Sequence, residues 1–250
     1  MISLKSIDKF FGDRQVLFGI SMDLQPGKAN LIIGRSGSGK TVLMKCMAGL
    51  LTPENGEILF DGRRFDERQD AKTVAEIRRD IGMVFQGGAL FDSLTVLENV
   101  VFPLDMFRRM PRAEKADRAH DCLKRVGLEN IDRLYPSELS GGMKKRVAIA
   151  RAIVNNPKYL FCDEPNSGLD PQTSARIDDL IAEITEEYRT TTVINTHDMN
   201  SVLQYGDVVH FIHEGKRWWT GDKKTILETP DTELRNFLEA SELTKRLLRA

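Results

Sequence analysis

The chain has few cysteines and no long apolar run, and each absence excludes a class of protein. Its three cysteines, Cys46, Cys122 and Cys162, are far apart and none belongs to a C-x-x-C pair. We therefore expect buried reduced thiols rather than disulfides or a zinc site. No apolar run approaches the roughly 18 residues of a membrane span, so work at a membrane would require a partner.

A signal peptide and a basic excess are also lacking. The first ten residues, MISLKSIDKF, have neither the basic start nor the apolar stretch of a signal peptide, and we expect the protein to stay in the cytosol. With 36 Lys and Arg against 37 Asp and Glu, the net charge is −1, which disfavours a DNA or ribosome partner. The 250 residues suffice for one large domain or for a core with a lobe, and we predict the second.

A strand, a glycine-rich loop and a helix start follow one another in the first fifth of the chain. The apolar run Leu31–Ile33 predicts a buried strand, and Gly34–Thr41 reads GRSGSGKT, which fits G-x-x-x-x-G-K-[ST] at every fixed position. Glycines let backbone N–H groups close around phosphate oxygens. Lys40 can then reach the β- and γ-phosphates, and the Thr41 hydroxyl can bind Mg²⁺. These features predict a P-loop rather than an ordinary turn.

A second helix is predicted to begin with a capping serine and two glycines. Ser140 is a typical N-cap, and Gly141 and Gly142 would occupy the first helical positions. Each glycine there costs about 1 kcal/mol relative to alanine. A plain capped helix gives no reason for that cost, whereas close approach of the backbone to an anionic ligand does. We therefore predict a second anion-binding helix N-terminus.

Two further strands are predicted to end in residues that suit nucleotide chemistry. The apolar run Tyr159–Cys162 leads to Asp163 and Glu164. Paired carboxylates at the end of a strand can hold Mg²⁺ and take a proton from water; the alternative, a capping cluster, is disfavoured by the upstream P-loop. The strand Thr191–Thr196 is followed by His197, which we expect to face the phosphates.

For Phe11, the segment 87–107 and Asp170, the sequence allows two interpretations each. Phe11 precedes the P-loop and could stack on a flat base or pack in the core. Residues 87–107 join glycines to many apolar side chains, and such a segment forms either the core of a lobe or a surface for a partner. Asp170 stands before Pro171, and N-capping of the next helix alone would explain it.

Together, these motifs resemble the nucleotide-binding subunit of ATP-binding cassette (ABC) transporters over residues 2–227. Six motifs occur in the family's order: the Walker A motif Gly34–Thr41, the glutamine loop Gln86, the signature Leu139–Met143, the Walker B end Asp163–Glu164, the D-loop Ser167–Asp170 and the switch histidine His197. The resemblance implies an α/β fold, a P-loop NTPase with a RecA-like core, an antiparallel β subdomain and an ABC α-helical subdomain. It places the ATPase domain at 1–228, the inserted helical subdomain at about 87–157 and a C-terminal helical extension at 229–250.

The resemblance also implies ATP and Mg²⁺ as cofactors and assigns roles to residues. Glu164 would be the general base, His197 would orient the γ-phosphate and water, and Gln86 would sense the metal and water. The implied metal ligands are Thr41, Gln86 and Asp163. The implied ATP-binding residues are Phe11, Val16, Gly34, Ser36, Gly37, Ser38, Gly39, Lys40, Thr41, Val42, Ser140, Gly141, Gly142 and Asp170.

The partners implied by the resemblance are a second copy of the chain and a membrane protein. In this family the signature of one subunit completes the ATP site of the other, which implies a head-to-tail homodimer. Residues 86–104, together with Met143, are similar to the ATPase subunits of Mla-type systems, which move phospholipids between Gram-negative membranes. This implies an ATPase bound peripherally at the cytoplasmic face of the inner membrane, with a permease docking near 87–107, an accessory cytoplasmic protein as a further candidate partner, and no nucleic acid.

Two alternatives stay open on the sequence. The same ATPase could serve a small-solute importer, or a lipoprotein-release or cell-division system. A soluble ABC ATPase that acts on ribosomes or DNA is the other alternative, although such relatives usually carry two cassettes or a long coiled-coil insertion. Two departures from the family pattern, Asn166 where Thr is frequent and Phe11 where Tyr is frequent, remove no group that the chemistry needs.

Overall fold

The structure is a computed structural model that describes residues 1–66 and 70–248. The strands in chain order are β1 (Ile2–Phe11), β2 (Arg14–Leu24), β3 (Ala29–Ile33), β4 (Asn55–Phe60), β5 (Arg63–Arg64), β6 (Ile81–Val84), β7 (Tyr159–Asp163), β8 (Thr191–Thr196), β9 (Val208–His213) and β10 (Lys216–Gly221). The helices are α1 (Lys40–Met47), α2 (Ala71–Arg79), α3 (Val96–Phe107), α4 (Arg112–Arg125), α5 (Gly141–Ile153), α6 (Pro171–Tyr188), α7 (Met199–Tyr205), α8 (Thr232–Leu238) and α9 (Glu242–Leu247). The chain forms two compact units, residues 1–78 with 191–250 and residues 79–190.

The first unit contains an antiparallel sheet in the order β2-β1-β4-β5 and four further strands in the order β10-β9-β3-β8. In the second group, β3 runs parallel to both of its neighbours, β8 and β9. All five residues of β3 are buried, as expected for a parallel strand covered on both faces. The register places Ile33 opposite Thr196. Gly34 and His197 therefore follow neighbouring strand ends at one edge of the sheet.

The second unit contains the parallel pair β6 and β7 and the helices α3 to α6. Helix α5 packs against α3, α4 and β6. Its approach to β6 is close, because a Cβ added to Gly82 would lie 2.3 Å from the carbonyl oxygen of Ala152. Val84 lies opposite Cys162 in the parallel register. The residues that follow these two strands, Gln86 on one and Glu164 on the other, therefore leave the same edge.

The segment 87–107 is both a packed element and a surface. Residues 96–107 form α3, which begins with a capping box in which the Thr95 amide donates to the Glu98 carboxylate at 2.8 Å. Val96, Val100 and Leu104 are buried, whereas Phe91 and Met106 are 43% and 62% exposed. The segment therefore contributes to the core of its unit and also exposes apolar side chains, and its use as a partner surface stays a prediction.

The C-terminal segment packs on the first unit as far as it is described. Leu234 and Leu238 of α8 are fully buried, and the Phe237 ring lies 5.2 Å from that of Phe211, centroid to centroid. Arg249 and Ala250, the end of the predicted extension, lie outside the described residues. The boundaries predicted at 87–157 and 229–250 stay predictions.

The three cysteines are free and buried, which confirms the expectation of reduced thiols. Burial raises the pKa of Cys46 and of Cys122 to about 11, so both stay protonated near neutral pH. Within residues 1–66 and 70–248, no helix combines the length and the apolar character that crossing a bilayer requires.

Candidate functional site

The loop after β3 has the backbone that a phosphate cradle needs. Gly34, Gly37 and Gly39 have φ of +151°, +80° and +106°, which disfavour residues with a Cβ. A Cβ on Gly34 would lie 2.2 Å from the carbonyl oxygen of Ile212. The loop can therefore take this path only with glycine at its first position.

Polar groups of this loop are arranged to meet an anion. Lys40 Nζ donates to the carbonyl oxygens of Gly34 at 2.8 Å and of Arg35 at 3.1 Å, which holds the ammonium beside the loop. Helix α1 starts at Lys40, and its N-cap, Gly39, provides no side-chain cap for the first amides. The buried Ser38 Oγ has no hydrogen-bond partner within the described part of the chain. A cation, uncapped helix amides and an unpaired hydroxyl fit a phosphate group.

The β1–β2 hairpin brings one of the two predicted base-binding residues, Val16, to this loop and leaves the other, Phe11, exposed near its turn. The Val16 carbonyl oxygen would lie 3.4 Å from a Cβ on Gly39. Phe11, paired with Arg14 near the hairpin turn, is 48% exposed, and Lys9 Nζ lies 5.4 Å from its ring centroid. Phe11 is therefore not a core residue, and its ring has a face available for stacking.

The remaining predicted residues of the first unit lie at the same end of β3. Ser36 and Thr41 are exposed, and Val42 is half-buried on α1. His197 is exposed directly after β8, and the next residue, Asp198, caps α7. The P-loop, the hairpin residues and the histidine therefore belong to one unit, with Val16 and His197 beside the loop.

In the second unit, Gln86 and Glu164 are in direct contact. Gln86 Nε2 donates to Glu164 Oε2 at 3.0 Å. Glu164 has φ of +47°, in the left-handed region that residues other than glycine seldom adopt. Asp163, one residue earlier at the end of β7, is buried. The amide of Gln86 and the carboxylates of Asp163 and Glu164 therefore lie at the same end of the paired strands β6 and β7.

The signature and the D-loop place two helix starts next to each other. Ser140 Oγ accepts from the Met143 amide at 3.3 Å, and a Cβ on Gly142 would lie 2.8 Å from Thr173 Cγ2. Asp170 accepts from the amides of Gln172 and Thr173, and the hydrogen bonds from Thr173 hold the pKa of Asp170 below its usual value. The segments 140–142 and 168–170 line a cavity of about 670 Å³. Asp170 is thus the N-cap of α6, beside the predicted signature.

Two buried polar side chains that the sequence did not single out fix the loop after Gln86. Arg151 donates to the carbonyl oxygens of Gly88 at 2.8 Å and of Ala89 at 2.7 Å. Asn99 accepts from the Phe91 amide at 2.8 Å and donates to three carbonyl oxygens of residues 91–95. Arg151 bonds to backbone groups about 60 residues away, so nothing in the local pattern identifies it, whereas the partners of Asn99 lie only four to eight residues before it.

We expect Asn99→Leu to lower the free energy of unfolding by about 3 kcal/mol, because several buried backbone groups lose their partners at about 1–3 kcal/mol each. Urea unfolding followed by circular dichroism measures this. Gln172→Leu, which replaces an exposed amide of the same unit, should change stability by less than about 0.5 kcal/mol. Equal stability of the two variants would show that Asn99 does not hold the loop.

Comparison with known proteins identifies the family. The family profile described as ABC transporter matches residues 17–167. The methionine import ATP-binding protein MetN of Clostridium tetani is 38% identical over 97% of this chain and 76% of its own length. The glutamate transport ATP-binding protein GluA of Corynebacterium efficiens is 38% identical over 93% of this chain and 95% of its own. A probable ribonucleotide transport ATP-binding protein, mkl, of Mycobacterium leprae is 36% identical over 95% of this chain and 68% of its own.

Solved structures show the same fold. The dimeric structure of MJ0796, a bacterial ABC transporter cassette, has a TM-score of 0.82 at 35% identity and covers 89% of this chain and 99% of that one. A dimeric post-hydrolysis state of the same cassette, bound to ADP and Pi, has a TM-score of 0.81. These similarities confirm the predicted P-loop NTPase fold of the cassette type. The chain belongs to the ABC transporter family and is an ATPase whose cofactors are ATP and Mg²⁺.

Proposed function

We propose that the chain is the ATPase subunit of a transporter that moves phospholipids between the inner and outer membranes, of the Mla type. In this proposal it is bound peripherally at the cytoplasmic face of the inner membrane. Two copies would close on ATP and open after hydrolysis, and a permease would convert that motion into lipid movement. The observation that carries the chemistry is the hydrogen bond between Gln86 and Glu164, which places an amide on the carboxylate proposed as general base.

The proposed roles rest on the chemistry of each group and on the motif to which it belongs. Glu164 takes a proton from the attacking water, and His197 orients that water and the γ-phosphate. Bound Mg²⁺ would neutralise charge that develops on the phosphates. Thr41, Gln86 and Asp163 offer hydroxyl, amide and carboxylate oxygens, the ligand types that Mg²⁺ prefers. Among the described residues there is no group of three or more His, Cys, Asp and Glu that could hold a metal.

The dimer is proposed to be head-to-tail, with ATP between the P-loop of one copy and Ser140–Gly142 of its mate. Its support is that both segments are helix N-termini, one of them without a side-chain cap, and both can offer backbone amides to an anion. The dimeric MJ0796 cassette is a relative that assembles as two copies.

The proposed permease surface is the segment 87–107. Of its exposed apolar side chains, Phe91 is carried by backbone that Asn99 holds in place, and Met106 lies in the last turn of α3. Exposed apolar groups on a fixed backbone suit the docking of a helix from a partner. The phospholipid assignment rests on the sequence of residues 86–104, since the named relatives differ in what they transport.

An amino-acid importer is the second candidate, favoured by the named roles of MetN and GluA in methionine import and glutamate transport. A tagged chain purified from the membranes of its own cells distinguishes the two. We expect a multispanning permease together with a protein that carries a lipid-binding domain. Recovery of a solute-binding protein instead would contradict the phospholipid assignment and support the importer.

Met106→Asp tests the docking surface in the same experiment. We expect this variant to lose at least about tenfold of the co-purified permease, because a charge in an apolar contact costs more than 1.4 kcal/mol. Its ATPase activity as the isolated subunit should be unchanged. Leu50→Asp alters an equally exposed apolar residue elsewhere and should keep the permease. Loss in both variants, or in neither, would remove residues 87–107 as the proposed surface.

A further inference from the structure

A buried lysine on α5 reaches the backbone of two residues proposed for catalysis. Lys145 is only 6% exposed. Its Nζ donates a short hydrogen bond to the carbonyl oxygen of Gln86 and makes a longer contact, 3.4 Å, with that of Glu164. The Gln86 and Glu164 side chains are themselves hydrogen-bonded. Gln86 and Glu164 are therefore connected twice, once directly through their side chains and once through the Lys145 ammonium, which contacts both of their carbonyl oxygens.

The placement of this ammonium is costly and specific. Burial lowers the pKa of Lys145, while the nearby carboxylates of Glu164 and Asp163 favour its charged form. A buried cation is retained where hydrogen bonds and opposite charges compensate for its lost hydration. A packing role alone would be met by an apolar side chain of the same length.

The backbone that Lys145 contacts is the strained part of the site. Glu164 has φ of +47°, and such a conformation persists only where the surroundings hold it. The Glu164 carbonyl oxygen accepts from the Ser167 amide at 3.2 Å as well as facing Lys145. These contacts fix the peptide group that follows Glu164. The direction in which the Glu164 side chain leaves the backbone is therefore fixed too.

We propose that Lys145 is a positioning residue for ATP hydrolysis, which ties the Gln86 and Glu164 backbones together and so sets where the Glu164 carboxylate and the Gln86 amide meet. This inference rests on the proposed role of Glu164 as general base. A carboxylate displaced by about 1 Å can lose on the order of 100-fold in rate. A change at Lys145 leaves the P-loop groups proposed to bind ATP intact, so we expect the effect to fall mainly on kcat rather than on KM.

Two substitutions separate positioning from packing. Lys145→Met keeps most of the apolar stem but has no donor, whereas Lys145→Gln keeps amide donors on a shorter apolar stem. Positioning predicts that kcat falls by about tenfold or more in Lys145→Met and less in Lys145→Gln, with the ATP KM within about twofold of wild type in both. A packing role predicts the opposite order, because Met fills the buried space better.

Steady-state phosphate release from the full-length chain, with thermal unfolding to verify folding, tests the inference. Lys144→Met, the same change at the half-buried neighbouring position, should leave kcat within about twofold. Two results would overturn the proposal: a wild-type kcat in Lys145→Met, or a kcat in Lys145→Met that equals or exceeds the kcat of Lys145→Gln. Glu164→Gln, measured in the same assay, distinguishes failure of the proposed general base from failure of the proposed role of Lys145. Normal turnover in that variant would disprove the general base, whereas loss there with an active Lys145→Met would disprove only the role of Lys145.

Discussion

Glu164→Gln is expected to lower kcat by about 1,000-fold, within the 10²–10⁴-fold range of general-base catalysis, while ATP binding is retained. The amide cannot take a proton from water, but it has the shape of the carboxylate. Its oxygen can still accept the hydrogen bond from Gln86 Nε2, which is 3.0 Å long in the native chain. Phosphate release measures turnover, and titration with a fluorescent ATP analogue measures binding.

The same variant tests the proposed dimer. With hydrolysis disabled, ATP and Mg²⁺ should hold two copies together, and gel filtration should show a shift from one subunit to two on addition of both. Glu129→Gln, the same change at an exposed position of the same unit, should leave turnover unchanged and show no trapped dimer. Normal turnover in Glu164→Gln would reject the general base. A nucleotide-loaded variant that remains a single subunit would reject the dimer.

The parts of the site that could be predicted from sequence are those built by short contiguous patterns. The P-loop is a strand, a loop and a helix in direct succession, and the observed β3 and α1 flank Gly34 to Gly39 as expected. The meeting of Gln86 with Glu164 follows from a simple rule, since parallel strands that pair in register end side by side. The local pattern was sufficient for the P-loop, whereas the role of Gln86 was implied by the family resemblance and its contact with Glu164 was not predicted.

The remaining parts depend on contacts between distant residues. Helix α3 is the exception: it was predicted only as an apolar segment, because Gly87, Gly88 and Pro103 conceal its helical character, yet its start is set by a local pattern, the Thr95–Glu98 capping box. Lys145 and Arg151 look like ordinary surface charges in sequence, yet each lies buried and donates to backbone carbonyl groups about 60 residues away, at Gln86 and at Gly88 to Ala89. Every residue has a backbone carbonyl group, so the sequence does not indicate which of them accepts a hydrogen bond from a distant side chain.

Lys40→Met is expected to weaken ATP binding about 100-fold, or roughly 3 kcal/mol, which is the upper range for a hydrogen bond to a charged group. Lys40 is 6% exposed, and its Nζ is held at the loop by the carbonyl oxygens of Gly34 and Arg35. Methionine keeps an apolar stem in the same space and removes the charge and the N–H donors, so the fold should persist. Calorimetric titration with ATP and Mg²⁺ measures the change in Kd.

Lys45→Met is the matched control, because Lys45 lies in the last turn of the same helix, away from the loop. That variant should bind ATP within about twofold of wild type. Each variant removes one positive charge, so any long-range attraction of ATP would be lost equally in both. A difference between the two variants therefore reports the local effect of Lys40 at the loop. If Lys40→Met bound ATP as tightly as Lys45→Met, the loop amides alone would account for phosphate binding, and the ammonium would have to act in the transition state instead.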